Sequence, residues 1–100
     1  MRTCIKRLIS RAHIDSVFIR NEVRFIEGVL EQVRVDGKIS NDAFLDAGAV
    51  HGALSVIATH VELGISQKEI QQLLREQITR AEKINSAHPD LDKIIESFRV

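Results

Sequence analysis

Residues of reactive types lie close together near the start of the chain, but their spacing matches no known catalytic motif. His13, Asp15 and Ser16 contain the residue types of a catalytic triad, which forms by geometry and not by adjacency along the chain. Cys4, the only cysteine, stands near basic residues that could lower the pKa of its thiol. No glycine-rich phosphate loop is present. The sequence therefore predicts a protein that is not an enzyme.

The histidines and carboxylates do not form a metal-binding pattern. His51 and His60 are nine residues apart, so on one helix they point in opposite directions. The stretch 36–40 resembles the middle of a calcium loop, but Gln32, Arg34 and Ala43 then occupy three ligand positions. We expect no metal and no cofactor, and we interpret His51 as a core or interface histidine bonded to a hydroxyl or carbonyl group.

Charge and composition are those of an ordinary globular protein. Fourteen basic residues balance fourteen acidic ones, and the chain has neither Trp nor Tyr. A neutral chain without aromatic platforms is a poor candidate for general nucleic-acid or anionic-membrane binding. Residues 1–34 contain seven basic and four acidic residues, whereas residues 35–65 contain one and four. This asymmetry fits either a solvated face or pairing of the two segments across a dimer.

Apolar residues recur at steps of three and four nearly everywhere, which predicts an all-α fold. At 100 residues the chain has the length of one domain. We expect a compact bundle of four to five helices spanning 1–100. The segment ending at Val35 is either one long helix or two helices that break near 13–16, and the break is favoured because Asp15 or Ser16 could cap a new start. Gly37 is suited to ending this segment, and Ser40 to capping the next helix.

The predicted helix over 41–63 is rich in Ala and Gly, and it contains the longest uncharged run, 47–61. Fifteen residues fall short of the roughly 20 that span a bilayer, so we expect no membrane segment. A helix that is apolar on nearly every side predicts a central, interior position, with neighbouring helices approaching closely at its glycines. A helix over 66–87 follows, with Ser66 and Glu69 as a capping box, and Asp90 is expected to cap a short last helix.

The stretch 63–74 resembles the turn and second helix of a helix-turn-helix. Its exposed polar residues would then contact DNA bases and phosphates. The candidate DNA-binding residues are Ser66, Gln67, Lys68, Gln71, Gln72 and Arg75. However, Glu69 and Glu76 cancel the local positive charge, and the helix is longer than a usual recognition helix. A plain helical hairpin is the preferred interpretation, and a DNA-binding regulator is the alternative.

The N-terminal segment and the helix over 66–87 have wider apolar stripes than one central helix can cover. This surplus predicts a homodimer, with a candidate interface formed by Phe18, Ile19, Phe25, Ile26, Val29 and Leu30. The preferred function is a non-catalytic, cytoplasmic protein-interaction or adaptor module whose partners are a second copy and another protein. A second alternative is a small-ligand binder that uses a cavity in the bundle core near His51.

Overall fold

The computed structural model describes residues 1–99, which form five α-helices and the connections between them. No strand occurs within these residues, so the all-α bundle is confirmed. In chain order the helices are α1 (Arg2–Ile9), α2 (Ser16–Val35), α3 (Asn41–Glu62), α4 (Gln67–Ala87) and α5 (Leu91–Glu96).

Three helices begin at the capping residues that the sequence predicts. The side chains of Asp15, Ser40 and Ser66 each accept a hydrogen bond from the backbone N–H three residues later, at 2.8, 3.0 and 3.2 Å. Each cap satisfies one of the free N–H groups at a helix start. Asp90 is different, because its side chain makes no capping hydrogen bond to α5.

Glycines in the left-handed conformation end α2 and α3. Gly37 has φ +68° and Gly64 has φ +93°, where a side chain would be strained. After Gly37, the N–H of Lys38 donates to the carbonyl of Val33 at 2.9 Å, and the N–H of Gly37 donates to Arg34. The same pair of bonds follows α3. Both turns are Schellman motifs, which satisfy the last carbonyls and direct the chain back along the helix.

The N-terminal segment breaks into α1 and α2, as the capping pattern favours. Ile14 lies in the connection, and its side chain is fully buried. The Gln67 amide holds this connection, because it accepts from the N–H of Ile14 and donates to the carbonyl of Ile14, both at 2.9 Å. The break lets α1 pack on α4 while α2 packs on α3.

The helix α3 packs along α2 and α4, and one continuous core fills the space between the helices. Its inward side chains are completely buried at Ala47, Val50 and Leu54. By length and composition α3 could cross a bilayer, but here one of its faces lies against α2 and α4.

The expectation that α3 is an interior helix on nearly every side is wrong. Leu45, Val56 and Leu63 are 60, 56 and 77% exposed. The expected close approach at its glycines is also wrong, because a Cβ added at Gly48 or Gly52 would meet no atom within 4 Å. Gly48 and Gly52 therefore do not admit a neighbouring helix of the same chain, whereas the alanines Ala43, Ala47 and Ala58 are buried.

Candidate interaction surface on helix α3

The largest concentration of exposed apolar side chains lies on one side of α3. We name this set the outer stripe. Successive members are alternately four and three residues apart, which is the spacing of a coiled-coil seam. Its members, all exposed, are the apolar residues Leu45, Ala49, Val56 and Leu63, together with Gly52 and Thr59, which lie between them.

The outer stripe is the side of α3 opposite to its buried face. Leu54 at the helix centre points into the core, and Gly52 and Val56 point away from it on either side. Leu45 and Leu63 are eighteen positions apart, which makes the stripe roughly 27 Å long at 1.5 Å per residue. Isolated exposed apolar residues are normal, but a continuous row of this kind marks interaction sites in soluble proteins.

Charged residues of α2 border the outer stripe on one side. Near the start of α2, Arg20 donates to Glu62 of α3 at 2.7 Å and to the hydroxyl of Thr59 at 3.1 Å. One turn further along, Arg24 is exposed. Towards the end of α2 the charge reverses, because Glu27 and Glu31 are exposed on the same side. Glu62 offsets one of the two positive charges at the first end, and Arg34 offsets one of the two negative charges at the second. The border therefore has one net positive charge at one end and one net negative charge at the other.

A groove of about 610 Å³ separates the negative half of α2 from the outer stripe. Leu30, Phe44 and Gly48 give it an apolar lining, and the guanidinium of Arg34 lies 4.5 Å from the centre of the Phe44 ring. The groove is open to solvent and lies at the surface between two helices. It is thus not the cavity in the bundle core that a small-ligand binder was expected to use.

His51 lies in this groove without the hydrogen bond that we expected for it. Its Nε2 atom is buried and has no hydrogen-bond partner, and the nearest carboxylate oxygen, on Glu27, is 3.7 Å away. Ser55 donates to the backbone carbonyl of His51 and not to the imidazole ring. Neither a serine nor a cysteine is among the residues that line the groove. The groove therefore contains neither a Ser–His nor a Cys–His pair.

The predicted interface on α2 is wrong in its position. Ile19, Ile26, Val29 and Leu30 are at most 6% exposed inside the protomer, and Phe18 and Phe25 are half-buried against the same core. The apolar surface that these six residues form is therefore already largely covered by the chain itself. A charge at Ile26 would unfold the protein and not dissociate it, because an unpaired buried charge is costly.

The candidate DNA-binding residues do not all remain available at the surface. Gln67 is engaged by both hydrogen bonds to Ile14, Gln71 is half-buried, and Ser66 caps α4. Lys68, Gln72 and Arg75 are exposed. The signal for a helix-turn-helix, a glycine followed by a capped helix, is equally the signal for the hairpin that α3 and α4 form.

A buried polar cluster at the other side of α2 was not predicted from the sequence. Glu22 is only 4% exposed. The guanidinium of Arg99 donates to both its oxygens, at 2.8 and 3.0 Å, and Arg99 Nε donates to Glu96 at 2.7 Å. Arg7 also donates to Glu22, at 3.2 Å. We name this set, together with Cys4, the Glu22 cluster. It joins α1, α2 and the C-terminal residues, which are far apart in sequence. The spacing of residues along a single helix therefore could not predict it.

The thiol in the Glu22 cluster is buried and is held in its protonated form. Burial, reinforced by the charges of Glu96 and Glu22, raises the pKa of Cys4 to about 12. Its Sγ donates to Glu96 at 3.3 Å. Although burial alone would raise the pKa of Glu96, hydrogen bonds from Arg99 and Cys4 lower it. Arg99 also donates to Cys4 Sγ, at 3.4 Å, but the effect of burial on the pKa of the thiol outweighs that of the neighbouring cations.

Within residues 1–99 no group of three or more His, Cys, Asp or Glu side chains is arranged to hold a metal ion. Comparison of the chain with family models, with curated proteins and with solved structures gave no match. The chemistry of its own surface is therefore the basis for a proposal about function.

Proposed function

We propose that this protein is a non-catalytic, cytoplasmic protein-interaction module that self-associates through the outer stripe of α3. The single observation behind this proposal is the row of exposed apolar residues on α3, with Leu45, Val56 and Leu63 each more than half exposed. Covering such a row with a second apolar surface is favourable by about 25 cal/mol for each Å² removed from water.

A protein partner fits this surface better than a small molecule does. The outer stripe is a straight ridge on a rigid helix of 22 residues, and it has the period of helix-to-helix packing. Small ligands, in contrast, bind in concave sites that enclose most of their surface. The groove beside Gly48 is open, and it accommodates side chains of a docked helix at the margin of such a contact.

The expected association is weak. A face roughly 27 Å long and one helix wide buries less than the about 1,600 Å² of a standard protein interface. We therefore expect a dissociation constant in the micromolar range or above, which suits an exchangeable assembly.

Sedimentation of the purified chain over a wide concentration range tests the proposal. The wild type is expected to shift from monomer to dimer mass between about 10 µM and about 1 mM. Val56→Glu places a charge in the middle of the stripe and is expected to raise the dissociation constant at least tenfold. Val17→Glu is the matched control, because Val17 is 67% exposed on α2 and lies outside the stripe.

Circular dichroism must show that both variants keep the wild-type helix content. A monomeric mass at every concentration would refute self-association. Equal weakening by Val56→Glu and Val17→Glu would refute the outer stripe as its site. Co-sedimentation of the wild type with phosphatidylcholine vesicles, lost in Val56→Glu, would instead assign the stripe to a lipid surface and overturn the proposal.

A further inference from the structure

When the outer stripe is placed against a reversed copy of itself, the sizes of the residues that face each other fit together. Leu45 and Leu63 lie at its two ends, Ala49 and Thr59 come next, and the middle positions hold one glycine and one valine. In each of these pairs the two residue numbers add up to the same value, with Leu54 as the midpoint. An antiparallel copy of the stripe centred on Leu54 therefore faces each residue with its counterpart.

We propose that two copies pair their α3 helices antiparallel about a two-fold axis near Leu54, with Gly52 facing Val56 of the partner subunit. This inference rests on the proposed function, and it assigns the partner as a second copy in one defined register. The valine side chain occupies the space that the missing side chain of Gly52 leaves open, where an added Cβ meets no atom within 4 Å. The two ends are closed by leucine against leucine.

A parallel arrangement lacks this complementarity. It would place Gly52 against the same residue of the partner subunit, which leaves a void that no side chain of the stripe fills, because Val56 would then face Val56. Close packing without voids is what makes a helix interface stable. The antiparallel arrangement also sets each α3 dipole against the opposite end of the other, which is favourable.

The charged border of α2 supports the same arrangement. In the protomer, Arg20 lies level with Glu62 of α3, whereas Glu27 lies level with His51. The two-fold axis near Leu54 places the charged borders of the two α2 helices on the same side of the dimer. The two borders run in opposite directions. The positive half, with Arg20 and Arg24, then comes level with the partner's negative half, with Glu27 and Glu31. Opposite charges facing each other across an interface favour one register and suppress others.

Disulfide cross-linking between variants that each have one added cysteine tests the register directly. Leu45→Cys and Leu63→Cys are oxidised separately and as a mixture at high protein concentration. In the antiparallel register, positions 45 and 63 face each other, whereas two copies of position 45 are roughly 27 Å apart along the axis. A disulfide needs Cα atoms about 4.4 to 6.8 Å apart, so only the mixture is expected to give covalent dimer, in several-fold excess over either variant alone.

Native Cys4 is present in every sample, and its burial and high pKa keep it out of the reaction. Wild-type protein measures any remaining background, and Val17→Cys controls for random collision. Efficient cross-linking of each variant alone would show a parallel pair and overturn the register, while the proposed self-association would stand. A wild type that dimerises without any cross-link among these variants would also overturn it. A monomeric wild type would refute the proposed function itself.

A charge exchange gives a second test that does not alter the stripe. Arg24→Glu and Glu27→Arg are each expected to raise the dissociation constant several-fold at low salt, and the double variant is expected to restore it. Restoration follows because the exchanged charges again face each other across the two-fold axis. Additive weakening in the double variant would contradict the antiparallel placement of the α2 borders.

Discussion

The Glu22 cluster and the outer stripe of α3 differ in whether the chain itself supplies contacts for their side chains. In the Glu22 cluster, a buried carboxylate receives hydrogen bonds from Arg99 and Arg7, and the guanidinium of Arg99 also lies 4.1 Å from the centre of the Phe25 ring. On the outer stripe, Leu45 and Val56 are each more than half exposed to solvent. A small protein that pairs its buried charges yet leaves a row of apolar residues exposed has a surface suited to a second molecule.

This difference leads to opposite expectations for substitutions in the two regions. Changes in the Glu22 cluster should alter the stability of the single chain, because all the groups that satisfy its charges belong to that chain. Changes in the outer stripe should alter association and leave the fold intact. The predictions below test that separation.

The largest effect is expected from Arg99→Ala. This substitution leaves Glu22 buried with only Arg7 beside it, and breaking a buried ion pair by removing one partner typically costs 3–5 kcal/mol. Since Arg99 is itself partly exposed, we expect a loss of about 3 kcal/mol in the free energy of unfolding, measured by urea titration at low protein concentration.

Arg20→Ala is the control for Arg99→Ala. Arg20 also makes a charged hydrogen bond, at 2.7 Å to Glu62, but both side chains are largely exposed, and exposed ion pairs contribute little to stability. The unfolding midpoint of Arg20→Ala should stay close to that of the wild type. Equal losses in the two variants would contradict the structural role that we assign to the Glu22 cluster.

Acid should destabilise the same side of the molecule through Asp92. Burial alone would raise its pKa, but hydrogen bonds from the N-terminal amine and from the hydroxyl and N–H of Thr3 lower it to about 2. A folded-state pKa below the usual 3.8 means that the ionised carboxylate stabilises the fold above about pH 4. That stability, about 2 kcal/mol, is lost as the pH falls from 4 to 2.

Urea titrations at pH 6, 4 and 2 compare the wild type with Asp92→Asn. The variant should be less stable at pH 6 and should lose less stability on acidification, because it has no carboxylate to protonate at this position. Parallel pH profiles for the two proteins would show that Asp92 does not carry this part of the acid sensitivity.

The helices could be predicted from the sequence because their boundaries depend on neighbouring residues. Ser40, Gly37, Ser66 and Gly64 act on the backbone within one turn, so their chemistry can be interpreted without knowing the fold. The break before α2 was predicted in the same way, from Asp15.

The surfaces could not be predicted, because they depend on which helix lies beside which. The stripe on α2 was expected to face a partner, but the break at Ile14 turns α1 back onto α4, and α2 is then covered by α1, α3 and α5. The helix α3 was expected to be enclosed because residues 47–61 have no charge, but this helix has one buried and one exposed face. Helical spacing likewise contains no sign that Glu22 and Arg99 meet, since 77 residues separate them.

The smallest effect, and the sharpest comparison, is expected from single glycine-to-alanine changes. Gly52 and Gly28 both lie inside helices, and at both an added Cβ meets no atom within 4 Å. Each alanine should therefore raise the stability of the monomer by about 1 kcal/mol, through helix propensity. Only Gly52 lies on the outer stripe.

Gly52→Ala should consequently stabilise the chain and weaken its self-association, whereas Gly28→Ala should stabilise the chain and leave association unchanged. Thermal unfolding at low concentration measures the first quantity, and sedimentation measures the second. A variant that folds better and associates worse shows that a residue is kept small for a partner and not for the fold. Unchanged association in Gly52→Ala would mean that no second α3 packs closely at this glycine.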